Sequence, residues 1–387
     1  MGTMIYRIMT KRVIDSLKGG RVVGLFGPRR SGKTTLLEHI KKEKGGGVLM
    51  VHGENLDAAE ALSSQRTSVL ARFIGDKKYL FIDEAQKIHN IGTNLKLIVD
   101  TVPKVSVLVS GSSSFELRNK IGEPLVGRSI YYHLYPFSLE EVKTDVSEMN
   151  AKLEELLIYG LYPQVYLEAT IDGKKTQLES IRDGYLLRDI LELDKVKEST
   201  FIFNLLRLIA FQIGHDVSYS ELASNLNVNK KTVMRYLDLL EKSYVIFSHS
   251  GYSRNLRKEF TKSPRFYFWD NGIRNSLIAN YNRLNLRDDV GCLWENFCMA
   301  EREKLLANNS ISANRYFWRT YDQKEIDLVE ERGGKLYAFE FKYSKDNIHV
   351  PKDFIKSYPG SEFVVVNKNN YLEYLTGQKV PRRQVAP

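Results

Sequence analysis

The sequence contains little cysteine and no long hydrophobic run. Its two cysteines, Cys292 and Cys298, fall within one predicted helix, and no second pair accompanies them. A disulfide framework and a zinc site built on two cysteine pairs are therefore excluded, and both thiols are expected to be reduced core residues. No apolar run reaches the roughly 18 to 20 residues of a membrane-spanning helix, and the N-terminus lacks the hydrophobic region of a secretory signal. We expect a cytoplasmic protein with no membrane partner.

Length and charge limit the number of domains and the kind of partner that the chain can have. Its 387 residues, 43% of them hydrophobic, are enough for two or three domains with their own cores. Lysine and arginine total 57 against 47 for aspartate and glutamate, which gives a net charge of +10. A basic excess suggests an acidic polymer as a partner, and the positions of the basic residues are more informative than their number.

A phosphate-binding loop is the most specific motif. The segment Gly27–Thr34 reads GPRRSGKT and matches G-x-x-x-x-G-K-[ST] at every fixed position. An apolar strand precedes it and a helix from Thr34 to Lys44 follows, which is the context that the pattern requires. In such a loop the backbone N–H groups and the helix dipole bind phosphate, Lys33 neutralises the β and γ oxygens, and the Thr34 hydroxyl can ligate Mg²⁺. The sequence therefore predicts a nucleoside triphosphate as ligand. The residues expected to line it are Gly27, Pro28, Arg29, Arg30, Ser31, Gly32, Lys33, Thr34 and Thr35.

Two further apolar strands end in polar residues. The segment KYLFIDEAQ ends in the adjacent acids Asp83 and Glu84. Asp83 would hold Mg²⁺ through water, and Glu84 would polarise the attacking water, so this pair favours hydrolysis over binding alone. The segment VSVLVSGSS ends in hydroxyls, of which Ser110 or Ser112 could contact the γ-phosphate. Helical or loop stretches separate the strands, which is typical of a parallel sheet covered on both faces.

NTP hydrolysis commonly uses an arginine to balance charge in the transition state. Arg128 is the first candidate and Arg118 the second, while a plain surface arginine is an alternative for either. Arg29 and Arg30 have a different status, because the loop acts through its backbone and their side chains need not touch phosphate.

The sequence pattern changes at Val217, after an amphipathic helical region that we interpret as a lid or connector. Ser220 is expected to cap a short helix, and a turn at Asn227 leads into a second helix with apolar Val233, Leu237 and Leu240 at helical spacing. This pattern predicts a helix-turn-helix, and Arg254–Lys262, between two predicted strands, has the charge of a basic wing. Double-stranded DNA is the expected partner, and a protein-binding module is the alternative. The residues expected to face DNA are Asn229, Lys230, Lys231, Thr232 and Arg235.

The C-terminal part carries acids at nuclease-like spacing. Asp327 lies on one predicted strand, and a turn leads to a second strand on which Glu340 and Lys342 share one face. An aspartate followed by Glu-x-Lys on the neighbouring strand is the arrangement of restriction-endonuclease-like nucleases, in which the acids hold Mg²⁺ and the lysine activates water or stabilises charge. Glu295, on a helix beginning near Asp289, resembles an additional metal-binding glutamate of the resolvase-like branch.

The order of the motifs along the chain also resembles that of a known family. GPRRSGKTT, YLFIDEAQ, VLVSGSSSFEL and GRSIYYHLYPFSLEE are followed by the helix pair, then RFYFWDNGIRN, WENF, EIDLV and FEFK. This order, over almost the whole chain, resembles the archaeal and bacterial family of predicted AAA-superfamily ATPases, whose members join an ATPase domain to a C-terminal domain of unknown function with a nuclease-like core. The resemblance implies ATP as the nucleotide and a finger role across subunits for Arg128, which requires a homo-oligomer. It also implies P-loop roles for Gly32, Lys33, Thr34, Asp83 and Glu84.

The expected fold class is α/β, with four parts. These are a P-loop NTPase domain at 1–137, a helical lid or connector at 138–213, a winged helix-turn-helix at 214–274 and a PD-(D/E)xK-like α/β domain at 275–387. The expected function is Mg²⁺-dependent ATP hydrolysis to ADP, coupled to DNA binding, with DNA cleavage left open. The alternatives are a nucleotide-gated interaction module with an inactive nuclease fold and a transcription regulator.

Overall fold

The computed structural model describes residues 5–102, 104–112, 125–186, 199–252, 263–320, 322, 324–344 and 351–377. They form two compact units. The N-terminal unit contains the described residues up to Pro136 together with Lys242–Tyr244. The C-terminal unit contains the described residues of Phe137–Arg188, Val196–Glu241 and Val245–Pro387. No helix in these described ranges is long and apolar enough to cross a lipid bilayer.

The N-terminal unit alternates strands and helices along the chain. In order, these are α1 (Met9–Ser16), β1 (Val22–Phe26), α2 (Lys33–Lys44), β2 (Val48–His52), α3 (Leu56–Ser63), α4 (Thr67–Ile74), β3 (Tyr79–Asp83), α5 (Ile91–Thr101), β4 (Ser106–Gly111) and β5 (Ser129–His133).

The five strands form one sheet in the order β2-β3-β4-β1-β5, and every neighbouring pair is parallel. The predicted parallel sheet is therefore confirmed. Strands β1 and β4 are buried along their whole length, as expected for central strands covered on both faces. Because parallel strands end at the same edge, the carboxyl ends of β1, β4 and β3 meet there.

The core of the N-terminal unit fixes α1 and α2 against the sheet. Met9 and Val13 of α1 and Leu36 and Ile40 of α2 belong to one buried apolar cluster, together with Leu25 of β1. The phosphate-binding loop lies between β1 and α2, so this packing determines the position of both its ends. The chain just before α1 is held near the same loop.

The C-terminal unit begins with helices and ends with mixed structure. Its elements are α6 (Leu139–Val142), α7 (Val146–Tyr159), α8 (Pro163–Tyr166), α9 (Ile171–Ile181), α10 (Ser199–Phe211), α11 (Tyr219–Asn225), α12 (Lys230–Lys242), β6 (Ile246–Gly251), β7 (Arg265–Phe268), α13 (Asn271–Leu277), α14 (Val290–Asn308), β8 (Asn314–Arg319), β9 (Glu325–Arg332), β10 (Lys335–Phe341), α15 (Lys352–Ser357), β11 (Glu362–Val366) and α16 (Tyr371–Thr376).

One six-stranded sheet, in the order β11-β10-β9-β8-β6-β7, runs through this unit. The pairs β9–β10, β8–β9 and β6–β7 are antiparallel, while β10–β11 and β6–β8 are parallel. Residues Ser250 and Gly251 of β6 pair with Tyr316 and Phe317 of β8. Strands β6 and β7, which follow the predicted helix-turn-helix, therefore belong to the same sheet as β9 and β10, the strands that carry Asp327 and Glu340. This sheet spans the expected domain boundary between residues 274 and 275.

The prediction that Ser220 caps α11 is wrong. The helix begins at Tyr219, and Ser218 is its N-cap, with a side chain that accepts a hydrogen bond from the Glu221 backbone N–H. The Val217 backbone N–H donates to the Pro264 carbonyl at 2.9 Å, which holds the chain extended just before Ser218. Tertiary pairing thus selects which serine becomes the cap.

Candidate functional site

The phosphate-binding loop has the backbone that its glycines allow. Gly32 has φ 96° at the N-terminus of α2, a conformation that favours glycine. At Gly27, a Cβ atom would lie 2.0 Å from the Leu134 carbonyl oxygen, so only glycine fits between β1 and the chain that follows β5. The loop therefore turns sharply at its first glycine and enters α2 at its last.

Lys33 is buried and lies along this loop. Its Nζ donates to the carbonyl oxygens of Gly27 and Pro28, each at 2.9 Å. An ammonium held at the mouth of the loop is in a position to meet phosphate oxygens.

Thr34, Asp83 and Ser110 form a hydrogen-bonded chain at the carboxyl edge of the sheet. The Thr34 hydroxyl donates to Asp83 Oδ2 at 2.7 Å, and the Ser110 hydroxyl donates to Asp83 Oδ1. Asp83 is 2% exposed, and these two hydrogen bonds fix the orientation of its buried carboxylate. A hydroxyl and a carboxylate side by side are ligands that fit Mg²⁺.

Glu84 is held in an unusual backbone conformation beside this chain. It has φ 51° and ψ 46°, in the left-handed region, and its backbone N–H donates to Ser110 Oγ at 3.1 Å. Gln86 Nε2 donates both to the Glu84 carboxylate and, at 3.1 Å, to Ser112 Oγ. Sequence reasoning predicted Glu84 and the two serines but not Gln86, because nothing in the local pattern marks a glutamine two residues after the acids.

The predicted finger, Arg128, lies away from the phosphate-binding loop of its own chain. It precedes β5, and its carbonyl accepts from the Val22 backbone N–H at 2.9 Å, whereas the loop follows Phe26 at the other end of β1. About 15 Å of strand separates the two edges. Arg128 Nη1 pairs with Asp100 Oδ2 at 3.2 Å, and its side chain is 44% exposed. Arg128 could therefore act only at the site of another subunit, and Arg118 lies outside the described residues.

Arg7 is an element of the site that the sequence did not reveal. Its guanidinium donates to the carbonyl oxygens of Ser31 and Tyr135, each at 2.6 Å, and the residue is 8% exposed. Arg7 thus ties the phosphate-binding loop to the chain after β5. The contacts span 24 and 128 residues of sequence, so no local motif could have indicated them.

A second polar cluster lies in the C-terminal unit, where β9 and β10 pair. Lys342 Nζ lies 2.7 Å from Glu340 Oε1 and 3.5 Å from Asp327 Oδ2. The Phe341 backbone N–H also donates to Asp327 Oδ2, at 2.8 Å. Glu340 Oε2 is buried and has no hydrogen-bond partner among the described residues. The structure thus brings together the aspartate, glutamate and lysine that the sequence predicted.

Glu295 reaches this neighbourhood from α14. Its Oε1 accepts from the Tyr267 hydroxyl at 2.8 Å. Burial and the nearby charge of Asp327 raise the pKa of Glu295 to about 8. The same two causes raise the pKa of Glu340 to about 7. Within the described residues, no three His, Cys, Asp or Glu side chains are arranged to hold one metal ion, so a cation here would use Asp327 and Glu340 without Glu295 in its present position.

The charge of Lys342 complements these acids. Burial alone would lower the pKa of Lys342, but the carboxylates of Asp327 and Glu340 outweigh it and raise that pKa above its ordinary value. Lys342 is therefore a fixed positive charge at neutral pH, suited to stabilising an anion rather than to accepting a proton.

The predicted DNA-facing residues lie at the start of α12. Val233, Leu237 and Leu240 are buried against the unit, as expected. Asn229 Oδ1 accepts from the Thr232 backbone N–H at 2.8 Å and therefore caps the helix. A surface groove of about 490 Å³ is lined by Asn229, Lys230, Lys231, Thr232 and Arg235. The predicted wing, Arg254–Lys262, lies outside the described residues.

Three protein families match consecutive parts of the chain. Residues 19–143 match the family described as AAA domain. Residues 150–287 match a domain of unknown function, DUF8612, and residues 290–384 match another, DUF4143. The N-terminal part of the chain is thus similar to an AAA domain, and its last part is similar to a domain of unknown function.

Relatives among curated proteins cover most of the chain. An uncharacterized protein of Mycobacterium tuberculosis is 28% identical over 335 residues, which are 86% of this chain and 72% of the relative. An uncharacterized protein of Haemophilus influenzae is 25% identical over 368 residues, covering 86% of each chain. Neither relative's name states an activity.

Similarity to solved structures is low. A Signal Transduction ATPase with Numerous Domains from Pyrococcus horikoshii aligns with a TM-score of 0.29 and 13% identity, covering 80% of this chain and 47% of that chain. A chain from the structure of Drosophila ORC bound to AT-rich DNA and Cdc6 aligns with a TM-score of 0.26 and 13% identity, covering 70% of this chain and 89% of that one. TM-scores of this size support no functional assignment.

Proposed function

We propose that this chain hydrolyses ATP in a Mg²⁺-dependent reaction and that the nucleotide state controls how its C-terminal unit binds DNA. The observation that carries the proposal is the chain of hydrogen bonds from Thr34 through Asp83 to Ser110, beside a buried Lys33. These groups come from three elements that meet only at the carboxyl edge of the sheet. Together they supply a metal-binding pair and a phosphate-binding ammonium.

Each group has a definable role in the reaction. The loop N–H groups and Lys33 bind the polyphosphate, and Thr34 and Asp83 would hold Mg²⁺, which when bound neutralises phosphate charge. Glu84 accepts a proton from, and orients, the attacking water, while Gln86 keeps the Glu84 carboxylate in place through its bond to Ser112. The left-handed backbone of Glu84 is held by the hydrogen bond from its N–H to Ser110 Oγ.

Binding of a non-hydrolysable ATP analogue tests the site before turnover is considered. Lys33→Ala should lose most of the affinity, because it removes the ammonium that faces phosphate. Lys41→Ala is the matched control, since Lys41 lies on the same helix and its side chain is 42% exposed. Equal affinity of both variants would contradict the role given to Lys33.

DNA is proposed to bind at the start of α12. Lys230, Lys231 and Arg235 are exposed there, and Lys231 and Arg235, four residues apart, lie on the face away from the buried Val233 and Leu237. A helix that shows a basic N-terminal part to solvent and an apolar face to its unit has the form of a groove-reading helix. Ion pairs to phosphate predict affinity that falls with salt concentration.

The test of this step is duplex binding as a function of salt. The double variant Lys230→Ala/Lys231→Ala should weaken binding and reduce the slope of log affinity against log salt by about 2. Lys152→Ala/Lys175→Ala, with side chains 40% and 38% exposed in the same unit, serves as the charge-matched control. Loss of affinity equal in both variants would indicate a diffuse charge effect instead of a site on α12. Tight binding to one operator-like sequence, weakened by Arg235→Ala, would favour the transcription regulator.

A metal-dependent nuclease is the second candidate activity. The observation in its favour is the buried Glu340 Oε2, which has no hydrogen-bond partner among the described residues although it lies beside Asp327 and Lys342. A carboxylate oxygen left in this way fits a cation ligand. Asp327 and Glu340 would hold a divalent cation, which when bound activates water and neutralises phosphate, while Lys342 stabilises charge on the phosphodiester.

Cleavage of double-stranded DNA with Mg²⁺ or Mn²⁺ decides between this activity and binding alone. Nuclease activity should disappear in Asp327→Asn and in Lys342→Ala, while Lys335→Ala on the same strand pair should cut normally. Retained DNA binding without cutting by the wild-type chain would instead favour a nucleotide-gated interaction module.

A further inference from the structure

The segment just before α1 is fixed against the phosphate-binding loop. The Arg7 carbonyl accepts from both the Thr10 backbone N–H, at 3.0 Å, and the Thr10 hydroxyl, at 2.7 Å. Its guanidinium donates to the Ser31 and Tyr135 carbonyls at 2.6 Å. Both ends of Arg7 are therefore held, and its neighbour Tyr6 has a defined position.

The order of the strands shows which end of a bound nucleotide this segment faces. In the sheet, β4 and β3 lie on one side of β1, and β5 lies on the other. Thr34, Asp83 and Ser110 mark the β4 and β3 side as the end of the Mg²⁺ and the terminal phosphate. A polyphosphate laid along the loop therefore carries its nucleoside toward the β5 side. Arg7 lies on that side, because it contacts Tyr135, two residues beyond β5.

An aromatic ring is exposed at this place. Tyr6 is 53% exposed, and its ring meets His39 of α2 edge to face, with centroids 6.2 Å apart. His39 and Thr35 are four residues apart and share one face of α2. Thr35 is exposed and directly follows the residue that pairs with Asp83. The Tyr6 ring thus lies over the helix face that begins at the phosphate-binding loop.

We infer that Tyr6, with the Thr35–His39 face of α2, forms the subsite for the base of the bound nucleotide. The flat base would stack on the Tyr6 ring, and Arg7 positions that ring by tying the segment to the loop and to the chain after β5. This subsite deepens the proposed ATPase function and rests on it. It recognises a nucleobase as a chemical class, since stacking on a ring accepts any base.

Comparing ADP with pyrophosphate isolates the contribution of the nucleoside, because both ligands carry two linked phosphates, and the Tyr6 variants then test the stacking of its base. Calorimetric titration of the full chain in Mg²⁺ should give tight binding of ADP and weaker binding of pyrophosphate. Tyr6→Ala should weaken ADP about tenfold, within the range that base–aromatic stacking gives, and leave pyrophosphate within about twofold. Tyr6→Phe keeps the ring and should restore ADP binding.

Leu56→Ala is the matched control, since Leu56 is 84% exposed in the same unit and should change neither affinity. The subsite is overturned if Tyr6→Ala binds ADP as the wild type does, or if it loses ADP and pyrophosphate equally. A wild-type chain that binds neither ligand contradicts the ATPase proposal itself, and the subsite with it.

Discussion

The hydroxyl of Thr34 donates a 2.7 Å hydrogen bond to the carboxylate of Asp83, which lies 49 residues away in sequence. Thr34 is the second residue of α2, and Asp83 ends a strand two positions away from β1 in the sheet. The contact places a hydroxyl and an acid side by side at the loop. Both would contribute to one Mg²⁺ site.

Removing either partner should raise the Mg²⁺ requirement of ATP hydrolysis. In Thr34→Ala the hydroxyl ligand is lost, and in Asp83→Asn the negative charge is lost, so we expect each variant to need at least about tenfold more Mg²⁺ for half-maximal turnover. Phosphate release measured across a Mg²⁺ series gives this value. Thr101→Ala, outside the site on α5, should titrate like the wild type. Unchanged Mg²⁺ dependence in Asp83→Asn would exclude this acid from the site.

Glu84 and Gln86 should differ in the size of their effects. Glu84→Gln removes the group that accepts a proton from water, so turnover should fall by about 10² to 10⁴ while ADP affinity stays the same. Gln86→Leu removes the hydrogen bonds to Ser112 and to the Glu84 carboxylate, which orient that carboxylate without reacting, and turnover should fall by about tenfold. Steady-state rates and ADP titrations separate the two. A Glu84→Gln variant with normal turnover would mean that another group activates water.

The Arg128 proposal predicts recovery of activity in mixtures of two inactive variants. Arg128 lies at the opposite edge of the sheet from its own loop, so an arginine finger here must serve another subunit. Arg128→Ala and Lys33→Ala should each hydrolyse ATP poorly, and mixed oligomers should recover turnover because some interfaces combine an intact loop with an intact arginine. The rate of the mixture against the sum of the separate rates is the readout. Normal turnover by Arg128→Ala alone would show that Arg128 has no role in hydrolysis and only forms an ion pair with Asp100 at the surface.

Asp289 should stabilise the C-terminal unit in a pH-dependent way. Burial alone would raise the pKa of Asp289, but hydrogen bonds from Arg287 and Arg274 outweigh it and lower that pKa to about 2. Because the unfolded chain then takes up the proton first as pH falls, the stabilisation is complete above about pH 4 and is lost as pH falls through 2. Its size follows from the shift and is about 2 kcal/mol.

Urea unfolding of Asp289→Asn against the wild type measures this contribution. The difference in free energy of unfolding should be about 2 kcal/mol at pH 7 and about half of that at pH 3. Asp172→Asn is the control, since its side chain is 96% exposed, and it should change stability little at either pH. A difference for Asp289→Asn that is the same at both pH values would show that the carboxylate charge is not what stabilises.

Much of the N-terminal fold follows from local sequence. An apolar strand, a glycine-rich loop and a helix are specified within 24 consecutive residues, from Arg21 to Lys44, because each depends on local backbone preferences. The strand ending in Asp83 and the strand ending in Ser110 are recognisable in the same way. Once the sheet is parallel, their polar ends must share one edge with the loop.

Long-range contacts could not be predicted from the same patterns. The bond from Arg7 to the Tyr135 carbonyl, the pairing of β6 with β8 and the choice of Ser218 as the α11 cap all depend on residues distant in sequence. Each contact depends on which surfaces pack together. The local sequence around an arginine, a strand or a serine does not identify its partner. Glu295 was predicted as a metal ligand, yet its hydrogen bond to Tyr267 depends on where β7 and α14 pack.

Phosphate release from ATP by the full chain, wild type beside Lys33→Ala, tests the central claim most directly. It should be measured in Mg²⁺ with and without double-stranded DNA. We predict wild-type turnover that rises with DNA and is absent in Lys33→Ala under both conditions. Equal phosphate release by the two proteins, or none from the wild type with or without DNA, would contradict an ATPase that acts through this loop.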